Sequence, residues 1–222
     1  MEARARSIHQ IVDQQVKKWE MMRRERQEGK KLPVITLSRE PGSRGRLVAE
    51  GIRDQLGFDL FHREIILQMA ENAQVSSRLL ETLDEKRLSV LEDWVSTLVN
   101  EKHLWPDQYL KHLMRVVGTI GKHGQAIIMG RGANFMLPSD DTFRVRIIAP
   151  IDLRIQNMSE EFGVPAEEAR RRILRTESDR RAFVRKYFYA DIADPANYDL
   201  VINTGTLSID AAVGTVKGAL GR

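Results

Sequence analysis

The residues best suited to chemistry fall between Pro33 and Glu50, PVITLSREPGSRGRLVAE. Val34-Ile35-Thr36-Leu37 is a short apolar, β-branched run, which predicts a buried strand. Pro41-Gly42-Ser43-Arg44-Gly45 breaks it, and Leu47, Val48, Ile52 and Leu56 then recur at helical spacing. A strand, a glycine turn and a helix N-terminus aim backbone N–H groups and the positive end of a helix dipole at one spot. That chemistry suits a phosphate. Its candidate contacts are Gly42, Ser43, Arg44, Gly45, Arg46 and Leu47.

Against the phosphate-loop pattern G-x-x-x-x-G-K-[ST], one register fits. It sets Gly45-Arg46 in place of Gly-Lys, Glu40 at the first glycine, and Leu47 where a Ser or Thr normally helps to hold magnesium. The match is degenerate, so a glycine turn without a ligand stands as the alternative, and the context has to decide.

That context begins with bulk properties. The chain has 222 residues, 42% hydrophobic and 30% charged, enough for one cored domain with an appendage. No apolar run approaches the roughly 20 residues of a membrane-spanning helix, and Met1 to Arg6 leads into no signal-like apolar stretch. With no cysteine, disulfides, thiolate nucleophiles and thiolate zinc sites are excluded, and the cytoplasm is the expected compartment. A net charge of +4 is compatible with an anionic partner but too mild to indicate one.

The elements that must position the loop follow in order. Ser7 to Arg26 is an amphipathic helix with Ile8, Ile11, Val12, Trp19 and Met22 near one face and Lys17, Lys18, Arg23, Arg24 and Arg26 around the rest. It predicts a packing or dimerisation arm over residues 1–32, ending in the polar linker Gln27 to Lys31; a basic surface for nucleic acid or lipid is the weaker expectation. Strands are predicted at Phe58–His62, Gln125–Gly130, Phe143–Ala149 and Asp199–Asn203. Helices are predicted at Arg63–Ala73, Asp152–Phe162, Pro165–Thr176 and Ser208–Leu220. Between Ser76 and His123 only helical spacing is visible, with Ser76-Ser77 as an N-cap and Pro106 in the first turn of a further helix. Short buried strands alternating with helices predict a parallel sheet covered on both faces, with ligands at the carboxyl ends of its strands. The glycine turn, His62, Arg131 and Asn203 fall at such ends.

Five segments, in this order, resemble the cytidylate-kinase-like family of phosphate-loop nucleoside monophosphate kinases. They are Ser38–Arg46, Phe61–Ile66, Gly130–Phe135, Arg180–Phe188 and Asp199–Thr204. The resemblance spans about Val34 to Leu220. It implies a three-layer α/β fold, the P-loop kinase fold, with a five-stranded parallel sheet in the order 2-3-1-4-5 over residues 33–222. It also implies a helical insertion at about 63–123 on the acceptor side and an arginine lid at about 177–191. ATP and Mg2+ would be the cofactors and nucleotides the substrates, with cytidylate the first acceptor to test. Arg46 would contact the donor phosphates and Arg131 the acceptor phosphate, unless Arg131 merely terminates its strand. Arg180, Arg181 and Arg185 would close over the phosphates. Because Arg181 and Arg185 repel at i, i+4, they need an anion between them, either a phosphate or Asp179 or Glu177. Arg170, Arg171, Arg172 and Arg175 read as solvent-facing, and Asn203 and Thr204 would approach the adenine through backbone groups.

Three residues depart from the family's pattern. Leu47 cannot ligate magnesium, which leaves the protein ligands of that ion open. Arg44 stands where relatives commonly carry glycine. His62 replaces an aspartate, and a neutral imidazole cannot supply that charge; a capping or packing role is expected for it. These departures keep a second reading open, a nucleotide-binding regulator with impaired chemistry. The remaining expectations are a homo-oligomer formed through the N-terminal helix, no membrane association and no nucleic-acid partner.

Overall fold

The computed structural model describes residues 7–25, 33–101 and 108–221. In chain order it has α1 (Ile8–Glu25), β1 (Val34–Arg39), α2 (Gly45–Leu56), β2 (Asp59–Phe61), α3 (Arg63–Glu71), α4 (Ala73–Leu80) and α5 (Glu85–Glu101). There follow α6 (Gln108–His123), β3 (Ala126–Met129), α7 (Ala133–Met136), β4 (Thr142–Ile148) and α8 (Ile151–Phe162). The last elements are α9 (Ala166–Phe188), β5 (Leu200–Asn203) and α10 (Ile209–Ala219). Arg26, the Gln27 to Lys31 linker and Pro106 lie outside the described residues. No helix among the described residues is long and apolar enough to cross a membrane.

The chain divides into two compact units, Met1–Leu32 with Phe61–Gly124, and Pro33–Leu60 with Gln125–Arg222. The five strands lie in the order β2-β3-β1-β4-β5. Strand β1 runs parallel to both β3 and β4, with Val34 opposite Ala126 on one side and Thr142 on the other. Strand β4 is parallel to β5, with Val145 opposite Leu200. Residues Val34 to Ser38 are all buried, as a central strand covered on both faces requires. Ile35, Leu37, Ile127, Met129, Val145 and Ile147 form the core with Val48 and Ile52 of α2 and Val213 and Val216 of α10. Each such side chain contributes about 1.5–3 kcal/mol by leaving water. This core fixes the end of β1, and hence the loop that leaves it.

In the other unit, Val12, Val16 and Trp19 of α1 are buried. Helix α1 opens with a reciprocal cap, in which Gln10 N–H donates to Ser7 Oγ and Ser7 N–H to Gln10 Oε1. Trp19 stacks on His123, with centroids 3.9 Å apart and planes 5° from parallel. His123 Nε2 lies 2.7 Å from Thr82 Oγ1, whose own proton goes to the Leu79 carbonyl at 2.6 Å. The hydroxyl therefore accepts, and His123 carries a proton on Nε2. Three residues of the helix's apolar face are thus packed within its unit, while Ile8, Ile11 and Met22 are half-buried.

Two helix boundaries differ from the sequence reading. The helix expected over Arg63–Ala73 stops at Glu71, because Asn72 turns extended and its Oδ1 accepts the Val75 N–H to start α4. Ser76 and Ser77 consequently lie inside α4 and cap nothing. The helix expected to end near Thr176 runs on to Phe188 as one 23-residue helix. No glycine or proline interrupts Ala166 to Phe188, and the stop comes where Tyr189 turns left-handed, φ 51°.

Candidate active site

The loop after β1 is built from backbone bonds. Glu40 N–H donates to the Ile147 carbonyl at 3.0 Å, and Ser43 folds back with both its N–H and its Oγ on the Glu40 carbonyl, at 3.3 and 2.8 Å. Gly42 has φ 77°, and a Cβ there would meet the Arg154 carbonyl oxygen at 2.4 Å, so no other residue fits. Arg44, at the N-cap of α2, is itself left-handed with φ 56° and ψ 17°, and its side chain caps nothing. Glycine would adopt this conformation without a Cβ penalty. The Arg44 carbonyl takes the N–H groups of Leu47 and Val48. Gly45 and Arg46, in the first turn, have no carbonyl within the helix to reach. N–H groups in the first turn of a helix, together with its dipole, are the features that favour an anion.

The side chains around it divide by task. Arg46 is exposed and pairs through Nε with Glu50 Oε1 at 2.9 Å, one turn along α2. Arg44 reaches Glu160 at 3.6 Å with both groups half in solvent, a contact of little energy. Leu47 is 47% exposed at the start of the helix and presents no oxygen. Arg180 Nη1 donates to the Arg39 carbonyl at 2.6 Å, so this arginine of α9 is tied to the root of the loop. Arg181 and Arg185 are exposed on α9, and Glu177 is engaged by Arg154. Arg170, Arg171, Arg172 and Arg175 face solvent, as their spacing implied.

Arg131 sits in an unusual turn, with Gly130 at φ 83°, Arg131 at φ 56° and Gly132 at φ 68°. Its guanidinium lies 5.8 Å from the centroid of the Phe183 ring of α9. Phe188 stacks on Phe135 at 5.4 Å, and a Cβ on Gly132 would strike Phe188 at 2.4 Å. After β5, Asn203 Oδ1 accepts the Gly205 N–H, and Thr204 Oγ1 donates to the Ser43 carbonyl at 2.8 Å. His62 holds the N-cap position of α3 without a side-chain cap bond, so the capping role expected of it is not made.

A set of supporting residues escaped the sequence reading. Glu40, in the place of the first glycine, accepts the Ala149 N–H at 3.1 Å and lies 3.7 Å from Arg146 and 3.5 Å from Arg154. Both arginines are buried, each 7% exposed. Arg146 also donates to Ser38 Oγ and lies over the Tyr198 ring, and Asn157 Nδ2 donates to the Gly42 carbonyl at 2.8 Å. One signal was present, because a charged residue within an apolar strand, as at Arg146, requires a buried partner. Elsewhere, Arg144 grips Asp199 at the opposite, amino end of β4 and β5. Its hydrogen bonds hold that carboxyl below the usual carboxylate range.

The sequence model of the cytidylate kinase-like family matches residues 34–206. The chain belongs to that family. It is 25% identical over 189 residues to the cytidylate kinase of Ignicoccus hospitalis, covering 85% of this chain and 99% of that one. With the cytidylate kinase of Natronomonas pharaonis it shares 25% identity over 188 residues, 84% of this chain and 88% of the relative. An uncharacterized protein from Eubacterium ventriosum has the same fold, with a TM-score of 0.60 at 19% identity over 85% of this chain and 98% of that one. The match to the family spans the phosphate loop, the Arg131 turn, α9 and Thr204, the parts that meet at the strand ends.

Proposed function

We propose that this protein transfers the γ-phosphoryl group of ATP to a nucleoside monophosphate, with cytidylate as the preferred acceptor. The observation that carries the reading is the loop from Glu40 to Arg46, whose glycine-dependent turn delivers backbone N–H groups to the N-terminus of α2 beside an arginine. The 25% identical cytidylate kinases, aligned over most of this chain, support the acceptor class.

The chemistry asks little of the protein beyond position and positive charge. An acceptor phosphate oxygen forms a bond to the γ-phosphorus, the bond from that phosphorus to the β–γ bridging oxygen breaks, and ADP leaves with the electron pair. The nucleophile is already anionic near neutral pH, since a phosphate monoester has its second pKa near 6. No general base is needed, and His62 in place of a carboxylate does not block the step. The N–H groups of Arg44 to Arg46 hold the donor phosphates, Arg46 grips them as a fork, and Arg131 orients the acceptor phosphate. Arg181 and Arg185 supply mobile positive charge from α9, while Arg180 holds the loop.

Mg2+ enters with ATP as part of the substrate. Leu47 offers it no oxygen, and among the described residues no group of three or more His, Cys, Asp or Glu could hold a metal ion. The ion would depend on the nucleotide phosphates, water and another oxygen ligand.

Leu47 and the Arg46–Glu50 pair favour one competing reading, a nucleotide-binding regulator that kept the fold without turnover. Transfer of labelled γ-phosphate to a panel of CMP, UMP, AMP, GMP and dCMP, beside calorimetry with ATP, decides between them. Turnover with CMP as the best acceptor is expected. ATP binding with no transfer to any acceptor supports the regulator, and absence of ATP binding removes both.

A further inference from the structure

Thr204 follows the last strand, yet its polar groups serve other segments. Its N–H donates to the Ile148 carbonyl at 2.9 Å. Its Oγ1 lies 2.8 Å from the Ser43 carbonyl and 3.2 Å from that of Ile148. A hydroxyl has a single proton. The Ile148 carbonyl already accepts the amide, so the shorter contact, to Ser43, takes it.

That bond fixes one peptide plane of the phosphate loop. In a trans peptide the carbonyl of one residue and the N–H of the next point to opposite sides. With the Ser43 carbonyl turned to Thr204, the Arg44 N–H faces the other way. The planes on either side are held by different groups. Asn157 Nδ2 takes the Gly42 carbonyl, the Ser43 N–H reaches the Glu40 carbonyl, and the Arg44 carbonyl receives Leu47 and Val48. Arg44 is left-handed at φ 56°, a conformation that a residue with a Cβ leaves unless its surroundings hold it. Thr204 is the side chain that holds this plane.

We propose that Thr204 is a positioning residue of the phosphate loop: through the Ser43 carbonyl, its hydroxyl keeps the Arg44 N–H turned toward the bound anion. The inference rests on the phosphate-binding reading of the loop. It gives Thr204 a task different from the backbone contact with a base that the family resemblance implies. It also makes the segment after β5 a brace for the donor phosphates.

Two substitutions and two readouts test it. Thr204→Val keeps the shape and removes the hydroxyl, whereas Thr204→Ser keeps the hydroxyl. Amide hydrogen exchange by NMR, on the ligand-free protein, should show the hydrogen-bonded loop N–H groups of Ser43, Leu47 and Val48 exchanging about fivefold faster in T204V, the worth of one net hydrogen bond. Calorimetry should show ATP bound about fivefold more weakly by T204V with adenosine unaffected, and T204S should restore both. Unchanged exchange in T204V, equal weakening of ATP and adenosine, or failure of serine to restore would each overturn the proposal. If the wild-type protein binds no ATP, the proposed function fails, while the exchange rates still decide the role of Thr204.

Discussion

Arg46 and Glu50 pair on the surface of α2, with Nε and Oε1 2.9 Å apart, so the cation of the phosphate loop is held by a carboxylate one helical turn away. Exposed pairs at this spacing are worth only about 0.3–0.5 kcal/mol, whereas a charge-assisted bond to phosphate is stronger. Arg46 should therefore exchange partners when nucleotide arrives. Glu50→Gln is expected to change ATP affinity by no more than about twofold. Arg46→Ala should lower kcat/KM roughly a hundredfold, as the loss of a charge-stabilising donor does. Steady-state kinetics on both variants checks the contrast. A large effect of E50Q would mean that the carboxylate itself takes part.

Arg131 stands between two glycines that are not equivalent. Both are left-handed, but a Cβ on Gly130 would meet nothing within 4 Å, whereas one on Gly132 would strike Phe188 at 2.4 Å. Gly130→Ala should cost about 1–2 kcal/mol from the backbone alone. Gly132→Ala should add an overpacking cost of about 1–3 kcal/mol. It should also raise KM for the acceptor by moving Arg131 off Phe183. Urea unfolding of the pair, with acceptor titrations, measures both effects.

Trp19 ties the N-terminal helix to its unit through the stack on His123. Trp19→Ala should destabilise by about 3–5 kcal/mol, the usual loss for a buried Trp, and Trp19→Phe should recover much of it by retaining a ring for the stack. Denaturant midpoints of the full chain provide the measurement. An unchanged midpoint in W19A would contradict the packing of α1.

Asp199 brings an acid dependence. Arg144 donates to its carboxyl from Nη2 at 2.7 Å, Nε at 3.1 Å and the backbone N–H at 2.8 Å, and these bonds lower its pKa. The folded state therefore binds fewer protons than the unfolded chain at pH values just below the ordinary carboxylate pKa of about 3.9. The stabilisation is complete above that pH and is lost as the pH falls through the folded value. The gap in urea midpoint between wild type and Asp199→Asn should be wide near neutrality and close below about pH 4.

Much of the architecture was legible because its signals are local. The β-branched runs at Ile35, Ile127, Val145 and Ile202 are buried strand cores, and the glycine turn between Leu37 and Val48 is where its composition placed it. The boundaries that differed were decided by single caps. Asn72 competed with Ser76 for the start of α4, and nothing stopped α9 before Tyr189. Propensity alone does not rank such competitors.

The sequence by itself determined a strand, a glycine turn and an arginine-bearing helix, the local pattern of a cradle, since those preferences act over a few neighbouring residues. Only the tertiary structure decided what holds that cradle. Glu40 between Arg146 and Arg154, Asn157 on Gly42, Arg180 on Arg39 and Thr204 on Ser43 link residues more than a hundred positions apart. A hydrogen bond acts over about 3 Å in space, and no spacing along the chain encodes which side chain the fold delivers to that distance.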